Sequence, residues 1–188
     1  HAIINGTTNY ILTRMARDGI EFQEALMEAQ EQGYAESNPT NDIEAIDGAY
    51  KLAVLASLAF HTKVHADDVS REGITRLAPQ DFRYALELGY AIKLLAIATS
   101  TKGKGGAGKQ GIMARVHPAL VPLEHMLAKV DGAYNAIEVS GDLMGRVLYH
   151  GMGAGRDATT SAVLGDLMEI VRGFRSGSQR LPSITIND

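Results

Sequence analysis

Apolar residues recur at helical spacing through the first half of the chain. In one segment they stand at i, i+3, i+4 and i+7, at Phe22, Ala25, Leu26 and Ala29. This spacing predicts an amphipathic helix that Gly33 would end. An earlier helix is predicted over 9–17, with Gly19 between the two. The run 52–60 is apolar on nearly every side, which predicts a helix buried on more than one face.

The second half of the chain is richer in strand patterns. One more helix is predicted over 79–89, and the Ile-, Leu- and Ala-rich segment 90–100 predicts a buried strand. Alternation between turn residues predicts three short strands, at 112–117, 134–140 and 145–150. A last helix is predicted from 159 or 160 to 171, with Gly173 ending it.

Helices that come first and strands that follow, with one returning helix, predict an α+β domain rather than a repeating βαβ unit. We expect a mixed, mostly antiparallel sheet with helices packed on one face. Five glycines and three lysines over 102–111 predict an exposed hairpin loop. The domain is predicted to cover 1–175, and 176–188 has the composition of a linker. Because the chain begins with His1 rather than methionine, we expect it to be a fragment.

Composition narrows the classes of function. A chain of 188 residues with 45% hydrophobic and 21% charged residues can bury one substantial core. A net charge of -4 and the lack of a long basic run give no electrostatic reason for a nucleic-acid or anionic-membrane partner. The absence of cysteine excludes disulfides, thiolate metal sites and cysteine nucleophiles. Without a membrane-length apolar run or a signal-peptide-like start, we expect a soluble cytoplasmic protein that binds small polar ligands.

The segment 33–51 concentrates charge at one predicted loop-to-helix junction. On a helix, Glu44, Asp47 and Lys51 would share one face. Because Lys51 directly precedes the apolar run, its stem is expected beside the core and its ammonium partly shielded from water. Such an ammonium suits proton exchange, and Asp47 would orient it. The alternative is a surface Asp-to-Lys pair worth about 0.3–0.5 kcal/mol.

Two further carboxylates belong to the same segment. Asp42 can converge with Lys51 only if the helix starts after Asp42, because nine residues correspond to half a turn of rotation. We therefore place Asp42 in the loop or at a cap, and Glu36 further back in the loop. Together they could clamp a ligand ammonium, while Gly6 and Thr7 take its carboxylate or hydroxyl. The alternative for Asp42 is a helix N-cap.

Three other patterns are weaker. The segment 103–109 matches GxxxxGK, but Gln110 replaces the Ser or Thr that a phosphate-binding loop needs. The segment 151–156 begins like GxGxxG, and the backbone at Gly153 and Gly155 could approach a phosphate there. A tight strand-to-helix turn explains that spacing equally well. No metal site is predicted, since the pair His61 and His65 lacks the glutamate of an HExxH motif.

Several stretches together resemble homoserine dehydrogenase. The longest begins Asn-Gly-Thr-Thr-Asn-Tyr at residue 5, and Asp-Gly-Ala-Tyr-Lys begins at residue 47. The matching stretches cover most of the chain and lie at 5–13, 29–36, 39–44, 47–52, 68–74, 134–137 and 153–155. The chain departs from the family pattern at 37–38, and at 45–46, where glycine is common at the first position.

The resemblance implies roles for the residues already singled out. Lys51 would exchange a proton with the reacting oxygen and Asp47 would orient it. Glu36 and Asp42 would hold the ammonium of the amino acid. Gly6 and Thr7 would line the pocket.

The resemblance also implies a reaction, a cofactor and an assembly. The family interconverts L-homoserine and L-aspartate 4-semialdehyde with NADP or NAD, in threonine and methionine biosynthesis. The nucleotide would be bound mainly by an N-terminal domain that precedes this chain, with Gly153 and Gly155 beside it. The sheet would resemble the C-terminal domain of glyceraldehyde-3-phosphate dehydrogenase and contribute, through 112–150, to a homodimer. A regulatory domain would follow the linker.

Two other functions stay open at this point. The chain could belong to a dehydrogenase for another small hydroxy amino acid. It could also be a non-catalytic oligomerisation or effector-binding module, in which the charged residues are a helix cap and surface pairs.

Overall fold

The structure is a computed structural model that describes residues 1–101 and 111–176. The predicted loop at 102–111, apart from Gly111, lies outside the described residues, and so does the linker after Ser176. The chain divides into two units, His1–Gly153 and Ala154–Asp188. Each is described by itself, and the boundaries predicted for the catalytic domain and the linker stay predictions.

The helices predicted for the first unit are confirmed, with shifted ends. The α-helices of its described part are α1 (Gly6–Asp18), α2 (Phe22–Glu31), α3 (Thr40–Ile43), α4 (Ile46–Phe60) and α5 (Pro79–Glu87). The helix α1 begins three residues earlier than predicted, because the Asn5 side chain caps it by accepting the Thr8 N–H at 2.9 Å. It ends at Gly19, whose φ of 67° lies in the left-handed region.

In the described residues, six strands form one sheet. They are β1 (Ala2–Ile3), β2 (Ser70–Arg71), β3 (Tyr90–Thr101), β4 (Gly111–Pro122), β5 (Tyr134–Gly141) and β6 (Gly145–Met152). Their order is β2-β4-β3-β1-β5-β6. The pair β2 and β4 is parallel and every other pair is antiparallel, which confirms the predicted mixed sheet.

Strand β4 differs from the prediction, which ended it at His117. It continues through Pro118 to Pro122 and pairs with β3 over its whole length. Strand β2 flanks β4 only at Arg115 and Val116. After Val116, none of the described strands pairs with the outer side of β4, so this part of β4 lies at the edge of the sheet. An edge strand tolerates the missing N–H of proline.

The core lies mainly between the sheet and the helices on one face. Side chains of β3 alternate between two clusters. Leu94 and Ala96 join the cluster formed with the helices. Leu95 and Ile97 point to the opposite face, where the 3₁₀ turn Met126–Lys129 covers part of the sheet. The predicted packing of the helices on one face is therefore confirmed.

Helix α4 is buried on one face only, so the prediction of burial on several faces is wrong. Leu52 and Ala56 are buried against the sheet, whereas Val54 and Leu58 are 61% and 68% exposed. The apolar run misled the prediction because most of its residues are small or face solvent.

In the second unit the described residues form α6 (Arg156–Ser176). This helix starts earlier than predicted and continues past Gly173, because one glycine in a helix costs only about 1 kcal/mol relative to alanine. Its large apolar side chains are exposed at helical spacing, at Val163, Leu164, Leu167, Met168, Val171 and Phe174. Across 1–101 and 111–176, none of the helices combines the length and the apolar character needed to span a bilayer.

Candidate functional site

The charged segment folds as two helices joined by one strained residue. Ala45 connects α3 to α4 with a φ of 58°, in the left-handed region that residues other than glycine seldom adopt. Because α4 starts at Ile46, after Asp42, the condition for Asp42 to converge with Lys51 is met. Asp42 lies within α3, so its predicted place in the loop or at a cap is wrong, and so is the alternative that it is a helix N-cap.

Asn5 brings two of the carboxylates together. Its Nδ2 donates to Asp42 Oδ1 at 2.6 Å and to Asp47 Oδ2 at 2.9 Å. Its Oδ1 accepts the Thr8 N–H, so all hydrogen-bonding positions of the amide nitrogen and one of the oxygen are used. Asn5 is 6% exposed. A buried neutral amide therefore fixes the distance between two acids.

Lys51 completes this cluster. Its Nζ lies 2.8 Å from Asp47 Oδ2 and donates to the Ile4 carbonyl at 3.2 Å. The second contact ties α4 to the residue before Asn5, which a simple surface pair would not do. The Lys51 side chain is 51% exposed and that of Asp47 is 30% exposed, so the expected shielding of the ammonium is modest. One face of the lysine remains open to a ligand.

Glu44 does not belong to the cluster, and the prediction that it shares a helix face with Lys51 is wrong. It follows α3 and precedes α4, and its Oε1 accepts the Thr75 hydroxyl at 3.3 Å. The main chain of Gly73 passes so close that a Cβ there would lie 2.3 Å from the Ile43 carbonyl oxygen. The segment 73–75 therefore holds the end of α3 in place.

Gly6 and Thr7 form the first turn of α1, directly after Asn5. A Cβ on Gly6 would lie 2.7 Å from the Ala133 carbonyl oxygen, so only glycine fits there. The Thr7 hydroxyl donates to the Tyr34 carbonyl at 2.5 Å. Glu36 is exposed, and within the described ranges its carboxylate makes no hydrogen bond; only its main-chain carbonyl accepts one, from the Gln30 side chain.

The structure therefore joins Asp42, Asp47 and Lys51 in one network through Asn5, and it leaves Glu36 outside that network. Gly6 and Thr7 directly follow Asn5 in the chain. A lysine with a carboxylate 2.8 Å away and an open side can exchange a proton with a bound oxygen. A second carboxylate close by can bind an ammonium.

Comparison with known proteins decides the family. The family model of homoserine dehydrogenase matches residues 1–168. The chain belongs to the homoserine dehydrogenase family. The homoserine dehydrogenase of Mycobacterium bovis is 51% identical over 177 residues, which are 94% of this chain and 40% of that protein.

Solved structures agree with this assignment and with the α+β class. A homoserine dehydrogenase from Thiobacillus denitrificans superimposes with a TM-score of 0.87 at 47% identity, over 93% of this chain and 39% of that one. A hyperthermophilic archaeal homoserine dehydrogenase mutant in complex with NADPH gives a TM-score of 0.67 at 27% identity, over 89% and 45% of the two chains. The chain spans about two fifths of the length of the relatives it matches.

Both glycines predicted to lie beside the nucleotide of a homoserine dehydrogenase have a structural requirement of their own. A Cβ on Gly153 would lie 1.8 Å from Asn135 Nδ2. Gly155, in the second unit, has a φ of 111°, which side chains rarely permit. The tight-turn alternative accounts for these facts, and the cofactor role of both residues stays a prediction.

Asn5 has no role of its own in the site that the sequence predicts. The predicted first helix began at 9, three residues too late for Asn5 to stand at its N-cap. The signal that would have found it is the Asn-Gly-Thr sequence before a helical pattern, because asparagine is among the preferred N-cap residues.

A cavity of about 540 Å³ lies elsewhere, between α1 and the start of β3, and its lining includes Arg17, Lys93 and Asp131. Asp42, Asp47 and Lys51 do not line it. We place the candidate active site at the charged cluster rather than at this cavity, because acid/base chemistry requires groups within hydrogen-bonding reach of the reacting proton.

Proposed function

We propose that this chain is the substrate-binding and catalytic part of a longer homoserine dehydrogenase, which interconverts L-homoserine and L-aspartate 4-semialdehyde with NAD(P). Membership of the family supports the reaction. The observation that carries the proposal is a cluster in which Asn5 bridges Asp42 and Asp47 while Lys51 pairs with Asp47.

In the proposed reaction Lys51 exchanges the proton of the substrate hydroxyl. Oxidation of homoserine removes a hydride from carbon and a proton from oxygen, and the bound nicotinamide supplies the hydride acceptor. A lysine ammonium has three N–H donors, and two are directed to Asp47 and the Ile4 carbonyl. The third position is available to a substrate oxygen: as the lone pair of the neutral amine it takes the hydroxyl proton when homoserine is oxidised, and as an N–H it returns that proton when the semialdehyde is reduced. Asp47 keeps the amine in that orientation.

The rest of the cluster is proposed to bind the amino-acid end of the substrate. The carboxylate of Asp42 would accept the ammonium, and Asn5 holds that carboxylate at 2.6 Å. Gly6 and Thr7 would line the pocket. Glu36 is proposed as a second ammonium ligand because of the family resemblance, from the exposed loop that follows α2.

The remaining features of the enzyme are proposals of the same kind. The archaeal relative binds NADPH, which favours NADP as cofactor. Gly153 and Gly155 are proposed to lie beside the nucleotide because of the family resemblance. We further propose a cytoplasmic homodimer that acts in threonine and methionine biosynthesis. Residues 1–175 would form the catalytic domain, and 176–188 would link it to a regulatory domain.

The test replaces Lys51 in the full-length protein that carries this chain. We expect Lys51→Met to lower kcat/KM for homoserine-dependent NAD(P)H formation by about 10²- to 10⁴-fold. Lys63→Met is the matched control, because Lys63 is an exposed lysine outside the cluster, and should leave the rate unchanged.

A folded Lys51→Met enzyme with a near-normal rate would show that Lys51 is only half of a surface pair. If the wild-type protein oxidised another hydroxy amino acid but not homoserine, the reaction would be of the right type with the wrong substrate. If it turned over no hydroxy amino acid and still formed oligomers, the non-catalytic alternative would be correct.

A further inference from the structure

The turn at residues 130–134 is held by several side-chain hydrogen bonds that are buried or partly buried. Asn9, which is 1% exposed, directs its Nδ2 at the carbonyls of Val130, Gly132 and Tyr134, at 3.0, 2.9 and 3.1 Å. One side chain of α1 thus contacts three carbonyl groups of the same turn.

Lys93 approaches the turn from the sheet. Its side chain is 4% exposed, and its Nζ donates to the Val130 carbonyl at 2.7 Å and to Asp131 Oδ1 at 2.8 Å. Burying an ammonium costs several kcal/mol unless it is paired and hydrogen-bonded. A methionine would fill similar space without that cost. The charge at position 93 therefore serves the turn rather than the packing of the core.

Thr13 joins Asn9 to the turn. Its hydroxyl donates to the Asn9 carbonyl at 2.7 Å and accepts the Gly132 N–H at 3.0 Å. Both hydrogen bonds need the hydroxyl but not the methyl group, so serine could make them and valine could not.

The turn also contacts the first residue of α1. A Cβ on Gly6 would lie 2.7 Å from the Ala133 carbonyl oxygen, so the two main chains are in close contact. Gly6 follows Asn5, whose amide holds Asp42 and Asp47. A movement of the turn would therefore reach the wall of the proposed pocket through a direct main-chain contact.

We propose that Asn9, Thr13 and Lys93 form a positioning clamp, which fixes the turn 130–134 against Gly6 and thereby shapes the homoserine pocket. This inference rests on the proposed function, because it takes Gly6 as part of that pocket. None of the three side chains has a hydrogen bond to Lys51 among the described residues, so they are positioning residues and not catalytic ones.

The test measures steady-state kinetics of the full-length enzyme. We expect Lys93→Met and Thr13→Val each to raise KM for homoserine about tenfold, with kcat lowered less than threefold. Thr13→Ser retains the hydroxyl, so unlike Thr13→Val it should keep the wild-type KM for homoserine. Variants that unfold more easily but keep the wild-type KM for homoserine would overturn the clamp.

A double-mutant cycle tests whether the effect passes through Gly6. Gly6→Ala forces apart the contact between Gly6 and the Ala133 carbonyl, which Lys93→Met is expected to loosen as well. The double variant should therefore raise the KM for homoserine by less than the product of the two single effects. Independent effects that multiply would overturn the inference.

Hydrogen exchange provides a readout that does not depend on activity. The amides of Thr8 and Asn9 are bonded to Asn5 and report on the start of α1. Their exchange should accelerate in Lys93→Met and in Thr13→Val but not in Thr13→Ser, and unchanged exchange in all three would overturn the clamp. If Lys51→Met left the rate normal, the proposed catalytic role would fail while this measurement still decided the clamp.

Discussion

Replacement of Asn5 by aspartate is the sharpest probe of the charged cluster. Asn5→Asp keeps an oxygen in the place where Asn5 Oδ1 accepts the Thr8 N–H, so α1 keeps its cap. The change removes the two N–H groups that contact Asp42 and Asp47, and it places a third carboxylate against them. It therefore tests the bridging hydrogen bonds without disturbing the helix.

The expected magnitude follows from the two contacts, at 2.6 and 2.9 Å. A hydrogen bond to a charged group contributes about 1.5–3 kcal/mol. Because the Asp47 side chain is 30% exposed, water replaces part of this contribution. The repulsion among like charges adds to the loss. We expect Asn5→Asp to lower the free energy of unfolding by about 2–4 kcal/mol at pH 8, which is a large share of a typical domain's stability.

The assay is urea unfolding of the full-length protein at several pH values, beside the neutral variant Asn5→Ser. Like charges and burial raise the pKa of the introduced carboxyl in the folded state. Its destabilising effect should therefore be small below its unfolded pKa of about 4 and grow as the pH rises through the folded pKa. Asn5→Ser should show a smaller loss without that pH dependence. Equal midpoints for Asn5→Asp and the wild type at pH 8 would refute the bridging role of the amide.

Two further predictions test contacts outside the cluster. Gly73→Ala should lower the free energy of unfolding by about 2–4 kcal/mol, because its Cβ would lie 2.3 Å from the Ile43 carbonyl oxygen. Gly151→Ala is the control, because no atom lies within 4 Å of the added Cβ, and it should change the free energy of unfolding by less than about 0.5 kcal/mol. Equal denaturation midpoints for Gly73→Ala and Gly151→Ala would contradict the close contact at Gly73. The hydrogen bond from Arg14 lowers the pKa of Glu28 below its usual 4.5. Ionised Glu28 therefore stabilises the fold above pH 4.5, and this contribution is lost as the pH falls through the lowered pKa. The melting temperature of Glu28→Gln should therefore fall less steeply than that of the wild type as the pH is lowered. The same pH dependence of both melting temperatures would contradict this expectation.

The elements that local spacing determines were predictable from the sequence. The apolar face of α2 contains Phe22, Ala25 and Ala29, and the helix ends at Glu31, two residues before the predicted stop at Gly33. Strand β1 could not be found in this way, because two residues show no periodicity. It becomes a strand only through its pairing with β3 and β5, which lie far along the chain.

In the candidate site, too, contacts between residues close in sequence were predictable and contacts between distant residues were not. Asp47 and Lys51 stand four residues apart on one helix, so their contact follows from local geometry. The bridges from Asn5 to Asp42 and Asp47 span 37 and 42 residues, and no local pattern indicates them. Glu44 was misplaced because the left-handed Ala45 breaks the helix that the spacing implied. Neither the break nor the bridges leave a periodic signal in the sequence.

The neutrality of Asn5 bears on which substrates the cluster favours. Asp42, Asp47 and Lys51 together carry one net negative charge, and an amide at position 5 leaves that charge uncompensated. A lysine at position 5 could also bridge two carboxylates, but it would cancel the charge that attracts an ammonium. Directly after Asn5, the N-terminus of α1 at Gly6 and Thr7 favours an anion. A cation-favouring and an anion-favouring end side by side match a zwitterionic amino acid better than a simple alcohol, which carries neither charge.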